Sequence, residues 1–191
     1  MTSPGKRSVG KPSKGGAPAG AGVFHFLTGW PACGAAEFGA WLAEHRGFAH
    51  LNLEDDSSRD ADLREAWARL LPDAAGELVA TLRARGDQWV VTAGSPADQF
   101  AHLAALRDAG FNLWFLQPHQ DGLSRQRWLA QERERDPGVK SQTWDRMADA
   151  IRRKARDLRP FFRDRCIQTL VTEGLIDGEA FAKAIGLPPG A

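Results

Sequence analysis

Gly29, Trp30, Pro31, Ala32, Cys33, Gly34, Ala35 and Ala36 stand between an apolar run and a helical pattern. Two glycines with four residues between them at such a junction suit a turn whose backbone N–H groups surround an anion, with the positive end of a helix behind them. In a loop of the form G-x-x-x-x-G-K-[ST], side chains do the rest: the lysine reaches the β- and γ-phosphates and the hydroxyl ligates magnesium. Here both glycines are in place, and Ala35 and Ala36 fill the other two positions. The spacing predicts a phosphate-nest backbone from Gly29 to Ala36 without the two side chains that would touch phosphate and metal. No lysine occurs between Gly15 and Val139 to replace the missing one, and the planar fork of an arginine does not copy a compact ammonium. Losing one preorganised transition-state donor costs about 3 kcal/mol, or about 10² to 10³ in rate. Efficient transfer of a phosphoryl group from magnesium–ATP is therefore not expected.

The elements that must position this loop follow from hydrophobic periodicity. "VFHFLTG" reads as a buried strand, followed by a helix through Phe38, Trp41 and Leu42 and a second strand in "FAHLNLEDD". Helical "DLREAWARLL" and "AAGELVATLRAR" come next, then strand "QWVVTAGSP", helix "ADQFAHLAALRDAG" and strand "FNLWFLQPH". The charged stretch from about Gly122 to Asp164 reads as two helices, the second with Trp144, Met147, Ile151 and Leu158 as its core-facing stripe. "RCIQTLVT" is a fifth strand candidate, and "DGEAFAKAIG" a last helix with Asp177 as its N-cap. This alternation predicts an α/β three-layer sandwich around a mostly parallel five-stranded sheet. Ligands in that architecture bind beyond the C-terminal ends of the strands, where the Gly29–Ala36 turn lies.

Composition limits the partners. The 191 residues are 42% hydrophobic, enough for one domain with a sizeable core, and the formal net charge of +1 makes a dedicated nucleic-acid binder a poor expectation. Cys33 and Cys166 form no metal-ligand or disulfide pattern, no apolar run is long enough for a membrane span, and no secretory signal is seen, so a cytoplasmic protein is expected. Residues 1–22 are rich in Gly, Pro, Ser and Ala, with Lys6, Arg7, Lys11 and Lys14 unbalanced by acid. They predict a disordered basic tail ahead of one domain over residues 23–191. His25 and His119 have no paired nucleophile or second ligand in sequence and read as structural.

"LTGWPACGAAEFGAWLAEHRGFAHLNLEDD" resembles the P-loop kinase superfamily, the branch with gluconate, shikimate and adenylate kinases, in its strand, loop, helix and acidic second strand. The specific motifs span Phe24 to Asp56, and the order of elements carries the likeness to about Leu187. The resemblance implies a P-loop kinase-like domain with a degenerate Walker A motif and ATP or another nucleotide as ligand, with magnesium not expected to be held. It implies phosphate-nest roles for Trp30 to Ala36, and an acceptor-orienting or metal-water role for Asp55 and Asp56. A lid-like segment over about residues 120–164 would offer Arg125 and Arg127 to the transferring phosphoryl group, since no acid adjoins them in sequence. "TAGSPA" is similar to the D-G-[FY]-P-R of nucleoside monophosphate kinases, with Ala93 and Ala97 where the acid and arginine would be.

The expected function is a kinase-like protein that binds a nucleotide, an anion or a phosphorylated small molecule and is impaired or inactive as an ATP-dependent kinase. One alternative is a sulfotransferase-like enzyme with different donor chemistry, although the arginine and hydroxyls of that loop are absent. The other is a kinase-derived protein-interaction module that uses the basic tail or the Arg-rich helix "DAIRRKARDLRPFFRDR". Trp30 serves either as a stacking surface or as packing over the first helix.

Overall fold

The computed structural model describes residues 23–54, 75–93, 100–118, 121–162, 165–169 and 177–189. The tail, Asp55 and Asp56, the helix expected at "DLREAWARLL", Gly94 to Ala97 and His119 lie outside the described residues. In chain order the elements are β1 (Val23–Gly29), α1 (Ala35–Arg46), β2 (Ala49–Asn52), α2 (Ala75–Arg85), β3 (Gln88–Thr92) and α3 (Phe100–Asp108). They continue with β4 (Asn112–Pro118), α4 (Asp121–Arg135), α5 (Ser141–Phe162), β5 (Cys166–Thr169) and α6 (Gly178–Ala184).

The strands form one sheet in the order β2-β3-β1-β4-β5, and each neighbouring pair runs parallel. Parallel strands need crossover connections, and the crossover helices cover the sheet's faces, which is why β1 is apolar on both sides rather than alternating. Apart from Val23, every residue of β1 is buried. Phe24, Phe26 and Leu27 join Val90, Val91, Leu113, Phe115 and Leu116 in the core, with Leu42, Leu82, Leu103 and Leu158 supplied by helices. β1 leads to β2 on one side of it, and β3 leads back to β4 on the other. That reversal opens a crevice at the C-terminal ends of β1 and β3, where the Gly29–Ala36 turn stands.

Two helical attachments frame this turn. The Asp177 carboxylate accepts from the Ala180 N–H at 2.9 Å, capping α6 as expected. α6 then packs on α1 through Phe181, whose ring stacks on Phe38 with centroids 4.1 Å apart, and through an Arg46–Glu179 ion pair. On the other side α4 and α5 form a helical hairpin with its own small core of Leu129, Trp144 and Ala148. Arg125 of α4 reaches Asp145 at 2.9 Å and Asp149 at 3.6 Å on α5, and Trp128 meets Trp144 edge-on at 6.0 Å. No helix among the described residues is long and apolar enough to cross a membrane.

His25 sits in the middle of the central strand, 3% exposed. The Trp114 indole N–H donates to its Nδ1 at 2.9 Å, so that nitrogen is the unprotonated one, and Nε2 has no hydrogen-bond partner among the described residues. Burial, with the positive charge of Arg165 adding to it, lowers its pKa from the usual 6.5 to about 4. The unfolded chain therefore takes up this proton first as the pH falls, and the stability present above about pH 6.5 drains away as the pH approaches 4. The expected loss is about 3 kcal/mol between pH 7 and pH 4, because each tenfold difference in proton affinity between the folded and unfolded chain is worth about 1.4 kcal/mol. Urea unfolding midpoints across that range check it, with H25F expected to remove this part of the pH dependence.

Candidate functional site

The turn begins with a steric requirement. A Cβ on Gly29 would lie 2.0 Å from the Leu116 carbonyl oxygen of β4, which no side chain can meet. The same carbonyl accepts from the Trp30 N–H at 3.0 Å, so the chain leaves β1 pressed against its neighbour. It then reverses: Ala32 has φ 53°, the Cys33 N–H donates back to the Trp30 carbonyl at 3.1 Å, and Gly34 has φ 91°. Gly34 is also the N-cap of α1 and makes no side-chain capping bond, so the first-turn amides of α1 face the turn without an internal acceptor side chain at the cap. The turn thus places two positive-φ residues directly ahead of a helix N-terminus.

The sequence leaves open whether Ala32 tolerates a φ value suited to glycine. In the structure it adopts one, and a left-handed φ in a residue with a Cβ costs about 1 kcal/mol or more. Cys33 is fully buried next to the amide N–H groups of Ala35 and its own residue. Burial dominates over these amides and pushes the thiol up to about 12, with the charges of Glu37 and Glu54 acting in the same direction. Cys33 is therefore a neutral packing residue inside the loop rather than a nucleophile.

A cavity of about 290 Å³ opens over the loop. Trp30 to Ala36 form its floor; Glu37 and Glu54 stand at its side, and Trp128, Gln131, Glu132 and Arg135 of α4 close it from above. Its acids have identifiable ties. Glu132, only 8% exposed, pairs with Arg135, and Glu37 lies 3.6 Å from Arg127. The backbone N–H of Glu54 donates to Asn52 Oδ1 at 3.1 Å. That oxygen also accepts from the Thr92 hydroxyl at 3.4 Å, and the Thr92 oxygen in turn accepts from His50 Nε2 at 2.9 Å. The ends of β2 and β3 are thus cross-linked by a polar chain that fixes where Glu54 starts. Among the described residues no three His, Cys, Asp or Glu side chains are grouped to hold a metal ion.

The expected site residues divide as follows. Trp30, Pro31, Ala32, Cys33, Gly34, Ala35 and Ala36 come together around one cavity, with Gly29 at the base of the turn. Arg125 and Arg127, which no acid adjoins in sequence, meet acids in space: Asp145 and Asp149 for the first, Glu37 for the second. Trp30 is 9% exposed and lies beneath α5, with the Arg152 guanidinium 5.6 Å from its ring centroid, so packing is its main role. Sequence reasoning missed Glu37, Glu54, Ser124, Trp128 and Glu132. Glu54 adjoins the two aspartates that it did single out, whereas Glu132 lies in a run of alternating charges that gives no hint of burial.

The fold has solved counterparts. The chain superposes on a shikimate kinase from Bacteroides thetaiotaomicron with a TM-score of 0.56 at 18% identity, covering 86% of this chain and 99% of that one. A shikimate kinase from Acinetobacter baumannii, solved in complex with shikimate, follows with a TM-score of 0.51 at 16% identity, covering 85% and 90%. The fold is that of the P-loop small-molecule kinases. No protein-family model matches the sequence, and no curated protein matches it either. At these identities the likeness establishes architecture, and the α/β class and parallel sheet expected from the sequence are confirmed by it.

The positive φ of Ala32 makes the loop testable without a ligand. A32G should raise stability by about 0.5 to 1 kcal/mol in urea unfolding, because glycine adopts that φ at no steric cost. G29A should abolish soluble folded protein, through its clash with the Leu116 carbonyl.

Proposed function

We propose that this chain is a P-loop kinase-like protein with a degenerate phosphate-binding loop, a weak binder of nucleotides or other anions that has lost most capacity for ATP-dependent phosphoryl transfer. The observation that carries this reading is the lining of the loop cavity. Ala35 and Ala36 stand at the start of α1, and the lining's guanidinium, Arg135, is already paired with Glu132. Glu54, and Glu37 with Arg127 3.6 Å from it, add two further carboxylates to the same walls. At an effective dielectric constant of about 20, two like unit charges about 8 Å apart repel by about 2 kcal/mol. Such a lining works against a polyphosphate that the backbone nest alone would attract.

The residues present do not fit a magnesium–nucleotide complex. No ammonium stands at the end of the loop, and no hydroxyl is offered to a metal at Ala36. What the loop has is backbone: a positive helix end, amide donors and a shaped turn, which favour an anion weakly. The α4–α5 hairpin is taken as the lid-like part of a single domain over residues 23–191, with Asp55 and Asp56 assigned to the acceptor side. Shikimate or a similar small hydroxylated molecule is the acceptor class that an active relative of this fold would take.

Titrating ATP and ADP into the purified protein, with and without magnesium, and following tryptophan fluorescence tests this reading, since Trp30 and Trp128 both line the cavity. Saturation is expected only above about 0.1 mM, equivalent to binding weaker than about 5.5 kcal/mol, with little effect of magnesium and no phosphorylation of shikimate. Installing the missing groups in A35K/A36T should tighten ATP at least about tenfold and make binding magnesium-dependent. Robust ATP-dependent phosphorylation of any small molecule by the natural sequence would sink the reading.

A further inference from the structure

The α4–α5 hairpin touches the loop at three points of different physical character. The Ser124 hydroxyl, buried in the interface, donates to the Pro31 carbonyl. The Arg152 guanidinium of α5 covers the Trp30 indole at 5.6 Å. Arg127 of α4 faces Glu37, in the first turn of α1, at 3.6 Å, with side-chain exposures of 26% and 40%. The first joins two uncharged groups in a buried interface, and the second sets a half-buried guanidinium on the face of a buried indole. The third is half-exposed, beyond hydrogen-bond distance and purely electrostatic, so added salt or a competing anion weakens it. Because Arg125 ties α4 to Asp145 and Asp149 of α5, the two helices lift or settle together.

We propose that the Glu37–Arg127 ion pair is an autoinhibitory latch, which holds the α4–α5 hairpin down on the loop and keeps a carboxylate of the chain itself on the guanidinium that an incoming anion must win. Glu37 lines the loop cavity while Arg127 stands on its far side, so an anion seated on the first-turn amides of α1 displaces Glu37 before it reaches Arg127. The latch biases the hairpin without locking it: a half-exposed pair of this kind shifts an equilibrium by about threefold. Only its ligand arm rests on the reading that the cavity takes anions. The mechanical arm stands on the contacts alone.

Amide hydrogen exchange on the full-length protein tests the mechanical arm. In E37Q and R127Q the amides of residues 30–38 should exchange about threefold faster than in the natural protein, while those of β1 keep their rate. The charge-swapped E37R/R127E should return close to the natural rate. Raising NaCl to about 0.5 M should speed exchange in the natural protein and leave E37Q unchanged. Equal exchange in all four proteins overturns the latch.

Pyrophosphate titrated by calorimetry tests the ligand arm. E37Q should bind it about threefold or more tightly than the natural protein, and E37Q/R127Q should lose that gain. Exchange that responds as described, with no pyrophosphate bound by any variant, upholds the latch and removes the anion-binding reading. Equal pyrophosphate affinity together with equal exchange leaves that reading standing and removes the latch.

Discussion

The contact of Gly29 with the Leu116 carbonyl governs the geometry of everything above the sheet. A strand that ends in open solvent can leave in many directions. One that ends with no side chain, pressed onto its neighbour's carbonyl and bonded to it through the next N–H, has few exits. The chain must turn back within a few residues to start α1. The positive φ values at Ala32 and Gly34 are the means of that reversal, and the strain at Ala32 is a local cost of it. The cavity, the helix N-terminus and the seat of α4 all inherit their places from this one approach.

Given that seat, the hairpin above the loop serves two masters. Its own core of Leu129, Trp144 and Ala148 makes α4 and α5 a unit, and the Arg125 pairs fasten them further. The same α4 then lends Ser124 and Arg127 to the loop, and Trp128, Gln131, Glu132 and Arg135 to the roof of the cavity. Arginines spent on α5 and α1 are not at the disposal of a phosphate unless those contacts break. Charge that looks available in a sequence is here already in use as structure.

That distinction explains how much could be read in advance. The strand and helix order, the turn at Gly29–Gly34 and the Asp177 cap are local or periodic features, and local features are written in consecutive residues. The parallel direction of the strands follows from alternation of strand and helix, whereas their order β2-β3-β1-β4-β5 depends on packing between distant elements. The partners of Arg125 and Arg127 could not be read in advance either: Asp145 lies twenty residues on from the first, and Glu37 lies on α1, far in sequence from the second. Burial of Glu132 depends on α4 settling over the loop, which no pattern within "RQRWLAQERER" encodes. The neutral thiol of Cys33 likewise reflects enclosure by the folded turn and not anything adjacent in sequence.

A loop with two positive-φ residues ahead of a helix and alanines at its helical end calls for a physical reason of its own. Part of that reason is packing: Trp30 lies under Arg152 and within the core, Cys33 and Ala35 are buried, and Phe38 stacks on Phe181. Those contacts hold the turn whether or not an anion ever occupies it. Preorganisation for an anion and ordinary core packing favour the same backbone, and the second is enough to hold it. The carboxylates around the cavity act the other way, since Glu37 and Glu54 put negative charge at its walls. Conformation and charge at this site answer to different constraints, and the charge is the better guide to what the cavity is able to hold.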